Sequence, residues 1–340
     1  MNSPVNSNLL GLESTDNKTV AQHKIHQGYD IKNLLPLLER SQDINFWRDL
    51  SPDSTICDRP FDGSQLPGQA IEARQLGKYQ LQLQEERYFQ TEFGLPSSAT
   101  REMYACIDRV KKAGFHPGFA LVYDVFYRSL FYFDPVLTAM LGSGYKLFPS
   151  MWVYDVDPTD TSQGFKEHRD GEYTNTIDAN GMPMVLTLWI AVTEANLLNS
   201  CIYVVPANRD LTYKQSISNP EVKPTFNLQD IRALPTSAGT LTCWDQYIFH
   251  WGSRSSKRAK SGRISYACYC QRGDVPSFGG SLIDVPSELD FEARLVTIYK
   301  TLLRYCYSPV RSQSSKELQQ LLESMKHYIQ THENISNQAL

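Results

Sequence analysis

The middle of the chain alternates between short apolar runs and polar turns, a pattern typical of β-structure. From Lys146 onwards, segments rich in β-branched and aromatic residues are separated by turns of Gly, Pro, Asn and Asp, which predicts strands. The predicted strands span residues 146–156, 183–192, 200–206, 240–245 and 263–271. Residues 182–192 are an almost unbroken apolar run, which indicates a central strand buried on both faces. Such a set favours a double-stranded β-helix, the jelly roll, whose mouth can hold a small metal site.

Apolar residues at helical spacing flank this β-rich region on both sides. Before it, we predict helices at 97–113, 118–131 and 134–142, a short helix starting near residue 30, and a loop at 52–67. After it, one stripe behind a Ser287 cap consists of Phe291, Leu295, Ile298 and Leu302, and a second consists of Leu318, Leu322, Met325 and Ile329. The expected fold is therefore α+β with a mainly β core, a jelly roll braced by N- and C-terminal helices.

We expect one elaborated domain. Its parts are a disordered polar tail at 1–25, a mostly helical layer at 26–145, the jelly-roll core at 146–280 and C-terminal helices at 281–340. Residues 208–234 are polar and contain prolines, and a segment of that length is either a functional lid or a floppy insertion. We favour the lid. The C-terminal helices are also a candidate surface for a homodimer.

The composition of the chain argues against several kinds of binding partner. The 340 residues carry a formal charge of −4, so the chain lacks the net attraction that nucleic-acid or anionic-membrane binding uses. No apolar run approaches the roughly 18 residues of a spanning helix, and the polar start has no apolar signal core. Seven cysteines without a C-x-x-C pair indicate reduced thiols rather than a thiolate zinc site. We therefore expect a cytoplasmic protein whose main partner is neither nucleic acid nor a membrane.

A candidate metal site is formed by His168, Asp170 and His250. Side chains two residues apart on an extended backbone point to the same side, so His168 and Asp170 share a face while Arg169 points away. A His-x-acid pair arises by chance about once in a chain of this composition, and its ordinary interpretation is a surface salt bridge. With His250 the set becomes the two-histidine, one-carboxylate triad that leaves open positions on non-haem Fe(II).

Arg263 and Ser265 lie two residues apart on the last predicted strand, downstream of His250. They therefore share a face of that strand. A guanidinium suits a carboxylate bidentately, and the serine hydroxyl adds a third donor. The pair is a candidate binding site for a carboxylate.

With these residues the chain resembles the Fe(II)- and 2-oxoglutarate-dependent dioxygenases, in particular the phytanoyl-CoA dioxygenase-like family. Residues 186–192, 199–206 and 238–245 also resemble that family, and the motifs follow its order over roughly residues 145–272. The chain departs from the usual pattern at 205–209, where a glycine-serine-histidine run is common, and in a slightly longer gap between the distal histidine and the Arg-x-Ser pair.

The resemblance implies a biosynthetic oxidoreductase. It implies that the three ligands bind Fe(II), that Arg263 and Ser265 hold the distal carboxylate of 2-oxoglutarate, and that Trp189 lines the co-substrate pocket. From the residues alone, a tryptophan of the core is an equally good account of Trp189. With O2 the enzyme would hydroxylate, desaturate or cyclise a small organic molecule and release succinate and CO2. Related halogenases carry glycine or alanine where Asp170 stands, so the carboxylate implies oxygen insertion and not halogenation.

Two other interpretations stay open from the residues alone. A zinc-dependent hydrolase uses the same three ligands around an activated water, but it has no need of a guanidinium and a serine beyond the distal histidine. A non-enzymatic jelly-roll protein that binds a sugar or a partner protein requires none of the three ligands.

Overall fold

The computed structural model describes residues 34–57, 71–159, 162–284, 289–304 and 316–336. The predicted tail at 1–25, the part of the predicted loop beyond residue 57, and the predicted Ser287 cap lie outside the described residues. Within the described part of the chain, no helix has the length and apolar character needed to cross a membrane.

The described strands form two antiparallel sheets. In chain order they are β1 (Tyr88–Gly94), β2 (Lys146–Val156), β3 (Val185–Ala191), β4 (Ile202–Val205), β5 (Arg232–Leu234), β6 (Thr240–Asp245), β7 (Phe249–Gly252), β8 (Arg263–Gln271) and β9 (Ile283–Asp284). One sheet has the order β1-β6-β3-β8-β2-β9, and the other has the order β5-β4-β7. The strands predicted at 146–156, 240–245 and 263–271 are confirmed with the same bounds, and those at 183–192 and 200–206 are shorter at both ends.

The central strand β3 separates two packed regions. Every residue in it is buried, which confirms the two-sided burial predicted from its apolar run. Because side chains alternate along a strand, Leu186 and Leu188 enter a core shared with the helices. Trp189 and Ala191 enter a second cluster, which contains residues from both sheets. The face of β3 that carries Trp189 therefore looks towards the three-stranded sheet.

Helices precede and follow the sheets, as predicted. They are α1 (Leu34–Ser41), α2 (Ile44–Leu50), α3 (Ala73–Glu85), α4 (Ser97–Lys112), α5 (Val125–Tyr132), α6 (Asp134–Leu141), α7 (Tyr213–Ser216), α8 (Phe291–Leu302) and α9 (Lys316–Ser336), with 3-10 helices at Pro117–Val122 and Leu228–Asp230. The helices predicted at 97–113 and 134–142 are confirmed to within one residue. α8 begins behind Asp290, whose side chain accepts a hydrogen bond from the Ala293 amide. α2, α3 and β1 were not predicted.

The single helix predicted at 118–131 is wrong. A 3-10 helix ends at Val122, Tyr123 is extended (φ −84°, ψ 143°), and α5 begins only after Asp124. The Asp124 carboxylate accepts hydrogen bonds from Thr55 Oγ1 at 2.6 Å and from Arg294 at 2.7 Å. These partners are distant in the chain, so tertiary contacts at Asp124 fix the break.

The helices on both sides of the sheets share one core. α4 contributes Met103 and Ile107, and α8 contributes Leu295 and Ile298, to the same cluster as Leu188 of β3. The N- and C-terminal helices therefore cover one face of the six-stranded sheet and leave its other face to the functional residues.

The predicted lid segment, residues 208–234, contains regular structure. It includes the short helix α7, the 3-10 helix Leu228–Asp230 and β5. β5 pairs with β4, so the end of the segment is an edge strand of the three-stranded sheet.

Candidate metal centre

The three predicted ligands lie together. One ligand atom from each of His168, Asp170 and His250 lies within 4.8 Å of the others. Asp170 Oδ1 is 3.4 Å from Nε2 of His168 and 3.7 Å from Nε2 of His250. Atoms bound to one metal ion at about 2.0–2.2 Å lie roughly 3–3.5 Å apart. The cluster therefore needs only small adjustments to hold an ion.

Backbone pairing brings the two histidines together. The amide of His168 donates to the carbonyl of His250 at 3.0 Å, and the amide of His250 donates back at 2.9 Å. Their ring centroids are 4.3 Å apart. Since Asp170 follows His168 by two residues on an extended stretch, its carboxylate reaches the same side, as the spacing predicts.

Both imidazoles turn the same nitrogen towards the carboxylate. His168 Nδ1 lies 2.6 Å from the Lys166 carbonyl, and His250 Nδ1 lies 3.1 Å from the Ile248 carbonyl. We assign the ring proton to Nδ1 in each, because a carbonyl only accepts hydrogen bonds. Each Nε2 is then an acceptor that faces Asp170 Oδ1. Three acceptor atoms that converge in this way call for a cation between them.

Burial keeps His250 in its neutral, metal-binding form. It lowers the pKa of His250 to about 4, with a further contribution from His168. Burial alone would raise the pKa of Asp170, but the imidazoles of His250 and His168 and the Thr187 hydroxyl hold it below its ordinary value. At neutral pH the cluster therefore includes the carboxylate of Asp170 and the neutral imidazole of His250.

Two side chains that the sequence did not single out orient Asp170. Its Oδ2 accepts hydrogen bonds from Thr187 Oγ1 at 2.6 Å and from Trp244 Nε1 at 2.8 Å. These bonds leave Oδ1 for a metal, and such supporting bonds fix ligand orientation and tune affinity. For Thr187 the sequence does contain a signal. Thr187 lies two residues before Trp189, so strand alternation places both side chains on one face of β3.

Arg263 is buried in the interior of the protein. Only 1% of the residue is exposed, and burial lowers the pKa of Arg263 to about 10. Its Nη1 donates to Ser265 Oγ at 2.6 Å and its Nε donates to the Ser200 carbonyl at 3.1 Å. No ion pair among the described residues includes it. A buried guanidinium of this kind is suited to bind an anion.

Two glycines make room for this guanidinium. A Cβ on Gly164 would lie 2.8 Å from Arg263 Nη2, and a Cβ on Gly252 would lie 3.1 Å from the same atom. The two glycines also approach each other closely, since either Cβ would come within 2.7 Å of the other glycine's Cα. Neither glycine was singled out in the sequence.

The predicted co-substrate residue Trp189 lies beside Arg263. Its ring centroid lies 5.5 Å from Arg263 Cζ. Thr187, which bonds Asp170, is two residues away on the same face of β3. Two residues of a strand span about 7 Å. The guanidinium and the ligand cluster therefore contact neighbouring positions on one face of β3.

Solved structures similar to this chain include non-haem enzymes, all at low sequence identity. No family model and no curated protein sequence matches the chain. Among solved structures, a non-heme monooxygenase, the ThoJ-Ni complex, is 14% identical with a TM-score of 0.48, over 69% of this chain and 100% of that one. The non-heme alpha ketoglutarate dependent epimerase SnoN from nogalamycin biosynthesis is 16% identical with a TM-score of 0.45, over 62% and 93%. EctD from S. alaskensis with 2-oxoglutarate and 5-hydroxyectoine is 12% identical with a TM-score of 0.42, over 64% and 86%.

Proposed function

We propose that the chain is a non-haem Fe(II)- and 2-oxoglutarate-dependent dioxygenase that hydroxylates, desaturates or cyclises a small organic molecule, with release of succinate and CO2. The observation that carries the proposal is Arg263, a buried guanidinium without a carboxylate partner among the described residues, on the same face of the sheet as the metal-ligand cluster. A metal site and an anion-binding group on one face of the sheet suit a chelating dicarboxylate.

The ligand set fits Fe(II). His168 and His250 each offer a ring nitrogen, and Asp170 offers one anionic oxygen that compensates part of the charge. Three ligands leave positions for a chelating co-substrate and O2. When bound, such a centre supplies the activation of O2 that is needed to remove a hydrogen atom from an unactivated carbon.

The protein's own residues bind and orient the co-substrate. In the proposed complex, Arg263 and Ser265 pair with its distal carboxylate, and the rings of Trp189 and Tyr154, 5.5 and 5.8 Å from Arg263 Cζ, cover the guanidinium. These rings exclude water, so the charge-assisted pair forms in a medium of low dielectric constant, where it is stronger.

An aromatic wall offers space for a small organic substrate. Tyr269 stands opposite Thr187 in the pairing of β8 with β3. Its ring lies 5.1 Å from that of Trp152 and 6.4 Å from that of Phe148. Beyond Phe148 lies a cavity of about 240 Å³, lined also by Tyr173 and Lys300. We propose that the substrate packs against this wall, which would hold its reacting carbon near the metal and exclude water.

The jelly-roll architecture is part of the proposal. Two antiparallel sheets that contribute to one interior cluster, with the ligands between them, are the arrangement that a double-stranded β-helix requires.

The test is anaerobic reconstitution with Fe(II) and 2-oxoglutarate. We expect a weak visible charge-transfer band that is lost in Asp170→Ala. A zinc hydrolase or an inert binding protein would show no such band. The absence of the band in the wild-type protein would therefore refute the proposal. Screening metabolites for substrate-stimulated succinate formation would then identify the substrate.

A further inference from the structure

The residues from Asp210 to Tyr213, called here the clamp segment, contact both stretches that carry the metal ligands. They belong to the region that the sequence suggested as a lid. One contact reaches the stretch 168–170, and the other reaches the turn that leads from β6 to His250.

The first contact is a buried ion pair beside two ligands. Arg169 lies between His168 and Asp170 and points to the opposite side, where its guanidinium pairs with the Asp210 carboxylate. The side chains of Arg169 and Asp210 are 2% and 1% exposed. Asp210 is itself held by its own loop, since Oδ1 accepts from the Thr212 amide at 3.0 Å and from the Thr225 amide at 3.2 Å.

The second contact fixes the turn before His250. The Tyr213 hydroxyl donates to Oδ2 of Asp245, which is fully buried. The other oxygen of Asp245 accepts from the amides of Tyr247 and Ile248 at 2.9 and 3.0 Å. Asp245 therefore connects the clamp segment to the backbone that places His250.

A third bond closes the ring. Besides its pair with Asp210, Arg169 donates from Nη1 to the carbonyl of Tyr247. The stretch 168–170, the turn 245–250 and the clamp segment are thus each joined to the other two. No link in this ring involves the metal-binding atoms themselves.

We infer that Asp210 and Tyr213 are positioning residues that hold the two ligand-bearing stretches at ligating distance before metal binds. The inference rests on the proposed function, because it assumes that the cluster holds a metal. It also revises the lid hypothesis, since a segment with two buried polar anchors on the site is a fixed support at that point. Residues that orient ligands without touching the metal typically change metal affinity by about 10–100-fold when they are replaced.

The test compares Asp210→Asn and Tyr213→Phe with two matched controls. Asp124→Asn weakens another buried Asp–Arg pair, that with Arg294, and Tyr123→Phe removes another buried hydroxyl, which bonds the Trp47 carbonyl at 2.9 Å. Both controls lie on the helical side of the protein. For each full-length variant we would measure anaerobic Co(II) affinity, the Co(II) absorption spectrum and urea unfolding of the metal-free protein.

We expect the clamp variants to bind Co(II) about 10–100-fold more weakly than wild type, with an altered absorption spectrum. The controls should lose stability but retain wild-type affinity. Unchanged affinity in both clamp variants, or equal loss in the controls, would overturn the clamp and leave the proposed function intact. A wild-type chain that binds no divalent metal would overturn the proposed function and the clamp with it. If Asp210→Asn does not fold, Tyr213→Phe decides alone.

Discussion

Replacing Arg263 by leucine should separate stability from co-substrate binding. Burial lowers the pKa of Arg263 from its ordinary value to about 10, which corresponds to a net cost of roughly 3 kcal/mol for holding the charged form, at about 1.4 kcal/mol per unit. Leucine removes that cost, but it leaves the Ser200 carbonyl and the Ser265 hydroxyl without their donor, at about 1–3 kcal/mol for each group. The free energy of unfolding of the ligand-free protein should therefore stay within about 3 kcal/mol of wild type.

The same substitution should weaken 2-oxoglutarate binding strongly. Loss of a buried charge-assisted pair costs on the order of 2–5 kcal/mol, which is about 30-fold or more in affinity at 1.4 kcal/mol per tenfold. Fe(II) binding should persist, because Arg263 touches none of the three ligands in the hydrogen bonds described. The assays are anaerobic titration of 2-oxoglutarate against the iron-loaded protein and urea unfolding of the ligand-free protein.

Arg294→Leu is the matched control. Arg294 is also buried, but it is paired with Asp124 at 2.7 Å, and breaking a buried pair costs about 3–5 kcal/mol. The control should therefore lose stability and keep its affinity for 2-oxoglutarate. If Arg263→Leu instead loses stability and keeps its affinity, Arg263 is a structural residue, and Arg254 or Arg258 becomes the candidate anchor.

Three further predictions follow from the ligand cluster. Asp170→Ala should abolish turnover, and wild type in chloride buffer should give a product heavier by one oxygen or lighter by two hydrogens; mass spectrometry showing a chlorine isotope pattern, or an active variant, would contradict this. Thr187→Val removes the 2.6 Å hydrogen bond to Asp170 and should weaken Co(II) binding about 10-fold or more. An unchanged Co(II) affinity would mean that the hydrogen bond from Trp244 is enough to orient Asp170. The pKa of His250 is lowered to about 4, so the unfolded chain takes up this proton first, and stability is lost as pH falls from about 6.5 to 4, by up to about 3 kcal/mol. Urea unfolding of the metal-free protein should show that the free energy of unfolding falls less steeply with decreasing pH in His250→Gln than in wild type. Equal dependence on pH in the two proteins would refute the lowered pKa of His250.

The strands and the ligand spacing could be predicted because both depend on local alternation. β6 and β8 have the predicted bounds, since continuous apolar and β-branched residues bounded by turns define a strand without reference to partners. The shared face of His168 and Asp170 follows from the same period of two. Local pattern thus sufficed where a side chain's direction is set by its own strand.

The remaining elements depend on partners far along the chain. α3 buries only Tyr79 and Leu83 within its length, so its apolar pattern is too sparse to predict a helix. The contact of Trp244 with Asp170 arises because β6 lies beside β3 in the sheet. Ser200 bonds Arg263 from a backbone with φ of 76°, a conformation that a serine in a sequence does not announce. Such features follow from tertiary packing, which a single sequence does not display.

The reciprocal backbone bridge between His168 and His250 makes the metal site readable by hydrogen exchange. Each amide of the pair is protected by the carbonyl of the other histidine, so both deuterate only when the two stretches separate. Their exchange rates thus report the free energy of opening at the metal site itself, which local opening can make smaller than that of global unfolding. A ligand that binds only the closed form slows both rates together. The two amides therefore form an isotopic reporter of site closure that requires neither a chromophore nor turnover.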